Sequence, residues 1–140
     1  MGSITFFSEG IDFKIPRPLA TKSWIQRVIR KENQKLSSLL YIFCSDEFLS
    51  KLNQDYLNHN TLTDIITFNY SLESGFIEGE VYISIPRVRE NSSLYKVEFD
   101  EELHRVIIHG VLHLLGYSDK KPSERALMRK KEEACLSLRK

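Results

Sequence analysis

The hydrophobic positions along this chain repeat with two different periods, and those periods predict strands alternating with helices. Apolar, β-branched and aromatic runs that are typical of strands lie at 4–7, 39–44, 63–70 and 80–85. The run at 39–44 is apolar at every position, which indicates a strand buried on both faces of a sheet. Ser74, Gly75 and Gly79 punctuate the stretch between the last two strands.

Five helices are predicted from apolar residues that recur three or four positions apart. Their starts are Thr21 or Ser23, Ser45 or Asp46, Pro86, Phe99 and Pro122. Polar caps favour the first two starts, and proline fits the first turn of a helix. The fourth helix is expected to end near Leu115. The apolar stripes are Trp24, Ile25, Val28 and Ile29 in the first helix, Phe48, Leu49, Leu52 and Tyr56 in the second, and Leu127, Ala134, Cys135 and Leu138 in the fifth.

The mixed order of strands and helices predicts the α+β class, with helices packed on a mixed sheet of about four strands. A length of 140 residues, with no repeat or flexible linker, predicts one domain spanning 1–140. A hydrophobic share of 41% argues against disorder, and no apolar run approaches the ~20 residues of a membrane span. Cys44 and Cys135 lie far apart among apolar neighbours. This placement favours reduced thiols over a disulfide. The N-terminus does not resemble a signal peptide. Together these two observations lead us to expect a cytoplasmic protein.

The net charge of +1 identifies no partner, but the charges are unevenly distributed. Residues 14–35 carry a net charge of +6, residues 46–102 a net −8, and residues 103–140 a net +5. Such asymmetry is typical of a surface that meets a polyanion, and a solvated face explains it equally well. Both interpretations stay open at this point.

A candidate metal site lies on the fourth predicted helix, near the C-terminus. His109 and His113 are four residues apart, so they share one helix face with Cβ atoms ~5–6 Å apart. Gly116 is expected to end the helix, which lets Asp119 fold back as a third ligand. A single histidine in an apolar helix is more often a hydrogen-bonded core residue, but this combination favours a metal. Three protein ligands with one open position are typical of catalytic zinc.

The other two histidines give weaker signals. His104 lies five residues before His109, about 140° round the helix, and is expected to be a surface residue and not a ligand. His59 lies in a polar loop, and its role stays open.

The spacing of the candidate ligands follows the metzincin metalloprotease motif, H-E-x-x-H-x-x-G-x-x-H. In that motif the glutamate after the first histidine is the general base. Gly110 occupies this position here, which disfavours a protease. Activation of water by the metal itself is still compatible with the sequence.

Two longer blocks carry a family resemblance. Residues 109–119 have the sequence HGVLHLLGYSD, similar to H-G-x-L-H-L-x-G-Y-D-H, and residues 52–68 are similar to L-N-x-x-Y-R-x-K-D-x-P-T-D-V-L-S-F. Gly79-Glu80-Val81 occupies the place of G-D-I. Through these blocks the chain resembles the YbeY family of bacterial endoribonucleases, also described as rRNA maturation factors, over about residues 46–120.

The resemblance implies a zincin-like α+β fold and metal-dependent hydrolysis of single-stranded RNA, with zinc-bound water attacking the phosphodiester. The implied context is 16S rRNA 3′-end maturation and ribosome quality control, with rRNA and ribosomal components as partners and no membrane or nucleotide cofactor. His109 and His113 match two zinc ligands of the family, and Asp119 stands where the third histidine is found. One Zn²⁺ per chain is expected, and another divalent transition metal would also suit these ligands.

One departure from the family concerns RNA contacts. The arginine that follows L-N-x-x-Y is Leu57 here, so another cation must meet the RNA. The candidates are His59, Arg87, Arg89 and Arg105. The missing arginine leaves open a metal-stabilised RNA-binding adaptor with little catalysis, and a metalloprotease is the third alternative.

Overall fold

The computed structural model describes residues 2–57 and 63–139, and within them nine elements of regular structure. In chain order these are β1 (Ser3–Ser8), α1 (Pro18–Lys31), β2 (Lys35–Cys44), α2 (Asp46–Leu57), β3 (Ile65–Asn69), β4 (Phe76–Ser84), α3 (Ile85–Tyr95), α4 (Phe99–Leu114) and α5 (Pro122–Ser137). The strands form one sheet in the order β1-β2-β4-β3. β1, β2 and β4 are parallel, and β3 runs antiparallel to β4 at the sheet edge. The predicted α+β class is confirmed.

The apolar run of β2 is buried because helices cover both faces of the sheet. Tyr41 and Phe43 point into the main core with α1 and α4, and the Tyr41 hydroxyl donates to the carbonyl of Ile107 at 3.0 Å. On the opposite face a smaller cluster packs α2 against Cys44 and Ile66. None of the described helices is long and apolar enough to cross a membrane.

Two glycines let α4 lie close to the sheet. A Cβ at Gly110 would lie 2.9 Å from Cγ1 of Val81, and one at Gly79 would lie 3.1 Å from Cδ2 of Leu114 on α4. Gly79 was expected to lie between the last two strands, but it lies inside β4, opposite Asn69 of β3. The helix that carries both candidate histidines is therefore held in a fixed position against β3 and β4.

The start of α1 differs from the prediction. The helix begins at Pro18, and Arg17 precedes it in the left-handed region without a side-chain cap. Proline fixes the backbone angle that a first helical residue needs, so the helix starts before Thr21. The hydroxyl of Thr21 donates instead to the carbonyl of Arg17 at 3.1 Å. The predicted cap of α2 is confirmed, since the Ser45 hydroxyl accepts from the Phe48 amide at 3.1 Å.

The buried face of α5 also differs from its predicted stripe. Leu127 and Ala134 are exposed, and the buried residues are Met128, Glu132 and Cys135. The predicted stripe shares only Cys135 with the buried face and omits Met128. In the structure a carboxylate occupies the middle of the buried face of α5, opposite α4. Cys135 and Cys44 are both buried free thiols, as predicted.

Candidate metal centre

The two histidines of α4 lie where this otherwise buried helix reaches the surface. Their rings meet edge to face with centroids 4.6 Å apart. The side chains of His109 and His113 are 19% and 28% exposed, while Leu112 between them is fully buried. Both imidazoles can therefore reach a ligand from solvent without any rearrangement of the core.

The chain reversal after α4 brings the third residue to them. Gly116 has φ of +110°, a conformation that favours glycine. The Gly116 amide donates to the carbonyl of His113 and the Tyr117 amide to the carbonyl of Leu112, both at 3.0 Å, which is the Schellman pattern. Oδ2 of Asp119 then lies 3.3 Å from Nε2 of His109 and 3.4 Å from Nε2 of His113.

These distances suit a tetrahedral metal ion. Zinc bonds of about 2.0–2.1 Å to nitrogen and oxygen place neighbouring ligand atoms of a tetrahedron about 3.3–3.4 Å apart. The three candidate donor atoms lie within 4.8 Å of one another, and within the described part of the chain these three residues form the group that could hold a metal. The donor set and its spacing fit one zinc ion with a free fourth position.

Glu132 orients one of the ligands. Its Oε2 lies 2.6 Å from Nδ1 of His109, so Nδ1 donates and Nε2 is left to face Asp119. Arg105 donates through Nη1 to the other oxygen of Glu132 at 3.2 Å and through Nη2 to Glu133. Sequence reasoning missed Glu132. Its signal is a carboxylate four residues after Met128 and three before Cys135, in the middle of a buried helix face.

The charges around the two imidazoles differ. Burial disfavours the charged form of His109, but the hydrogen bond and charge of Glu132 outweigh it and raise the pKa of His109. Burial and the neighbouring charge of His109 lower the pKa of His113. His113 therefore favours the neutral form, the form that offers a lone pair to a metal.

A cleft of about 250 Å³ opens beside these residues. Its charged lining consists of Asp64, Glu102, Asp119 and Glu132, together with Arg105 and Arg129. Burial, together with the charge of Asp64, raises the pKa of Glu102 to about 7. Burial also raises the pKa of Asp64, which precedes β3. Sequence reasoning assigned no role to Asp64, Glu102 or Arg129, because only the packing of α5 and β3 against α4 brings them together.

Of the described arginines that were predicted to contact RNA, only one lines the cleft. Arg105 lines the cleft, but its guanidinium is occupied by Glu132 and Glu133. Arg87 pairs with Asp46 at 2.9 Å, and Arg89 lies over the ring of Phe99. Neither Arg87 nor Arg89 is part of the cleft lining. His59 falls outside the described residues.

The expectation that His104 is a surface residue is wrong. It is 4% exposed and packs against Trp24, with ring centroids 5.3 Å apart. Its Nδ1 lies 2.7 Å from the carbonyl oxygen of Asp100 one turn earlier, which satisfies the ring inside the core. Among the described residues, the candidate ligand group does not include His104.

Comparisons with known proteins agree with the motifs. A family model described as "Endoribonuclease YbeY" matches residues 11–139. A protein of that name from Amoebophilus asiaticus is 53% identical over 134 residues, covering 96% of this chain and 91% of the relative. Another from Flavobacterium psychrophilum is 51% identical over 132 residues, covering 94% of both. A Thermotoga maritima protein with a solution structure superimposes with a TM-score of 0.66 at 27% identity, covering 96% of this chain and 87% of its own.

Proposed function

The chain belongs to the YbeY endoribonuclease family, and from that premise we propose that it is a zinc-dependent endoribonuclease specific for single-stranded RNA. We place it in the cytoplasm as one domain of residues 1–140, acting in 16S rRNA 3′-end maturation and ribosome quality control on ribosomal particles. One observation carries the metal-dependent part of the proposal. Two imidazole nitrogens and one carboxylate oxygen converge with the separation of tetrahedral zinc ligands.

His109, His113 and Asp119 would hold the metal. Zinc bound there would activate water for attack on a phosphodiester and polarise a phosphoryl oxygen. Glu132 holds His109 in the tautomer that directs Nε2 to the site, and the Schellman turn holds Asp119 against both histidines. Asp119 contributes a negative charge that a third imidazole would lack, so less positive charge is left at the site than with three histidines.

The residue after His109 disfavours peptide as the substrate. A peptide-hydrolysing site of the metzincin type needs a glutamate directly after His109, and that position is Gly110, packed against Val81 and Ile65. No room exists there for a longer side chain. The adaptor alternative is favoured by a different observation, the replacement of the family arginine by Leu57.

Cleavage assays with three substrates separate these functions. Zinc-loaded protein is incubated with a single-stranded RNA, the same RNA annealed to its complement, and a peptide library. We expect the single strand to be cut, and the His113→Ala and Asp119→Ala variants to lose cutting together with bound zinc. Lys120→Ala, which changes the exposed neighbour of Asp119, serves as the matched control and should retain both.

Each alternative has its own outcome. Tight RNA binding without cleavage by zinc-loaded protein would support the adaptor and reject the nuclease. Cleavage of peptides but not RNA would support a protease. Cleavage of RNA that persists in Asp119→Ala with undiminished zinc would place the metal elsewhere.

A further inference from the structure

If the cleft beside the metal centre accepts RNA, as the proposed function requires, its acidic lining faces a substrate that is also negatively charged. Four acidic side chains line it, Asp64, Glu102, Asp119 and Glu132, of which Glu102 is only partly ionised near pH 7 because its pKa is raised to about 7. A phosphodiester is itself anionic, and a bound divalent ion would offset only part of this negative charge. Unless an available cation lies in the cleft, these carboxylates repel the substrate.

Arg105 cannot fill that role. Its side chain is 13% exposed, and both terminal nitrogens are engaged, Nη1 with Glu132 at 3.2 Å and Nη2 with Glu133. Binding a phosphate would require Arg105 to release the carboxylate that orients His109. Arg105 is therefore a structural cation of the α4–α5 contact.

Arg129 differs from Arg105 because its guanidinium is not engaged by any described carboxylate. It lies on α5 three residues before Glu132, so it projects from a neighbouring turn of the same helix. It is exposed, lines the cleft, and makes no hydrogen bond or ion pair with any described residue. Arg129 is close enough to Glu102 and Glu133 for its charge to lower the pKa of each, but neither carboxyl group is hydrogen-bonded to its guanidinium. Among the described cations of the cleft, Arg129 alone has a guanidinium available to a ligand.

We propose that Arg129 binds a phosphodiester of the RNA strand in this cleft, next to the metal centre. Its planar guanidinium can donate two parallel hydrogen bonds to the nonbridging oxygens of one phosphate. Leu57 occupies the position of the family arginine, so the chain has no cation there. Arg129 would supply a cation from α5 instead. The inference rests on the proposed function for its substrate and adds the residue that holds it.

The test uses zinc-loaded full-length Arg129→Gln, Arg129→Lys and Lys130→Gln. Lys130→Gln removes the same charge from the next residue, which is exposed and outside the cleft lining. Two quantities are measured over a range of salt concentrations: kcat/KM on single-stranded RNA, and the affinity for that RNA by fluorescence anisotropy before cleavage is detectable. Zinc content is determined for every variant.

Arg129→Gln should retain full zinc and lose about 10-fold or more in RNA affinity and in kcat/KM, as expected for a charged hydrogen-bond donor removed from a phosphate. Its slope of log affinity against log salt should fall by about 0.7, the value of one single-strand phosphate contact. Arg129→Lys should keep the wild-type slope with part of the lost affinity, because it keeps the charge without the fork. Lys130→Gln should match the wild type.

Two results would overturn the role of Arg129. If Arg129→Gln and Lys130→Gln have equal affinities, slopes and kcat/KM while the wild type cleaves RNA, Arg129 makes no phosphate contact and the proposed function stands. If the wild type neither binds nor cleaves single-stranded RNA, the proposed function fails and the role of Arg129 fails with it.

Discussion

At the scale of single residues, the carboxylate behind His109 sets the chemistry of the metal centre. Glu132 is 6% exposed and divides its two oxygens between Nδ1 of His109 and Nη1 of Arg105. A ligand histidine whose other nitrogen is held in this way keeps one tautomer and one ring orientation. Glu132 would therefore act on a bound metal through His109, as a positioning residue.

Replacing Glu132 by glutamine should weaken zinc affinity by about 10–100-fold, because the charge that polarises and orients His109 is removed. Competition with a chromophoric chelator measures this loss. Glu133→Gln is the matched control, since Glu133 also pairs with Arg105 but its side chain is 58% exposed and does not contact His109. Equal zinc affinities for the two variants would show that Glu132 does not position the ligand.

Glu102 is a second residue whose environment has a measurable consequence. Burial and the charge of Asp64 raise its pKa from an ordinary 4.5 to about 7. The folded state thus favours the neutral acid, which stabilises the fold fully below pH 4.5. This contribution is lost as the pH rises through 7.

Glu102→Gln should therefore be less sensitive to pH than the wild type. Between about pH 5 and pH 8 the wild type should lose roughly 2–3 kcal/mol of unfolding free energy relative to the variant. Urea unfolding of both zinc-free proteins measures this difference, and titrating groups that do not interact with Glu102 cancel in the comparison. Parallel stability curves would mean that the Glu102 carboxylate is solvated in the folded protein.

The grouping of the three candidate ligands could be predicted from the sequence because it depends on local structure. His109 and His113 are one helical turn apart, and Asp119 follows within a single reversal at Gly116, so spacing alone brings them together. Glu132 and Arg129 could not be predicted in the same way. Their positions depend on the angle at which α5 folds back along α4, which is a tertiary contact with no counterpart in local spacing.

At the scale of elements, α4 can lie close to the sheet because a glycine, which has no side chain, faces it. Gly110 follows His109 directly, and its backbone faces Val81 of β4 and Ile65 of β3. The period of the apolar residues predicted that α4 ends near Leu115, and the helix ends at Leu114. The starts of α1 and the buried face of α5 were less predictable, because a proline and a buried carboxylate override the simple apolar pattern.

Gly110→Ala should destabilise the protein by about 1–3 kcal/mol, since the new methyl group lies 2.9 Å from Cγ1 of Val81 in a packed core. The sign of the change in unfolding free energy distinguishes the two effects, because alanine in place of glycine normally stabilises a helix by about 1 kcal/mol. Urea unfolding measures the change. Lys130→Ala, at an exposed helical position, should stay within about 0.5 kcal/mol of the wild type. A more stable Gly110→Ala variant would show that α4 is free to move away from the sheet.

At the scale of the whole molecule, the candidate ligands and their partner Glu132 span α4, the turn that follows it, and α5. His109 and His113 belong to α4, Asp119 lies in the turn before α5, and Glu132 extends the connection into α5. The main core already joins α4 to α5 through Met128 and Cys135, and it contains none of these residues. We therefore expect the metal to stabilise the folded protein without being required for folding, unlike the metal of a zinc finger.

Zinc removal tests this expectation. A ligand that binds only the folded state stabilises it by about 2.7 kcal/mol at 100 times its dissociation constant. A chelator should accordingly lower the unfolding free energy of the wild type by a few kcal/mol and leave it folded by circular dichroism. In Asp119→Ala the chelator should have a much smaller effect, because one of three ligands is missing, whereas Asp119→His and the neighbouring control Lys120→Ala should respond like the wild type. If the chelator unfolds the wild type, zinc is a structural requirement of this fold. If it destabilises Asp119→Ala and the wild type equally, Asp119 is not a ligand, and the turn at Gly116 brings it to the histidines for another reason.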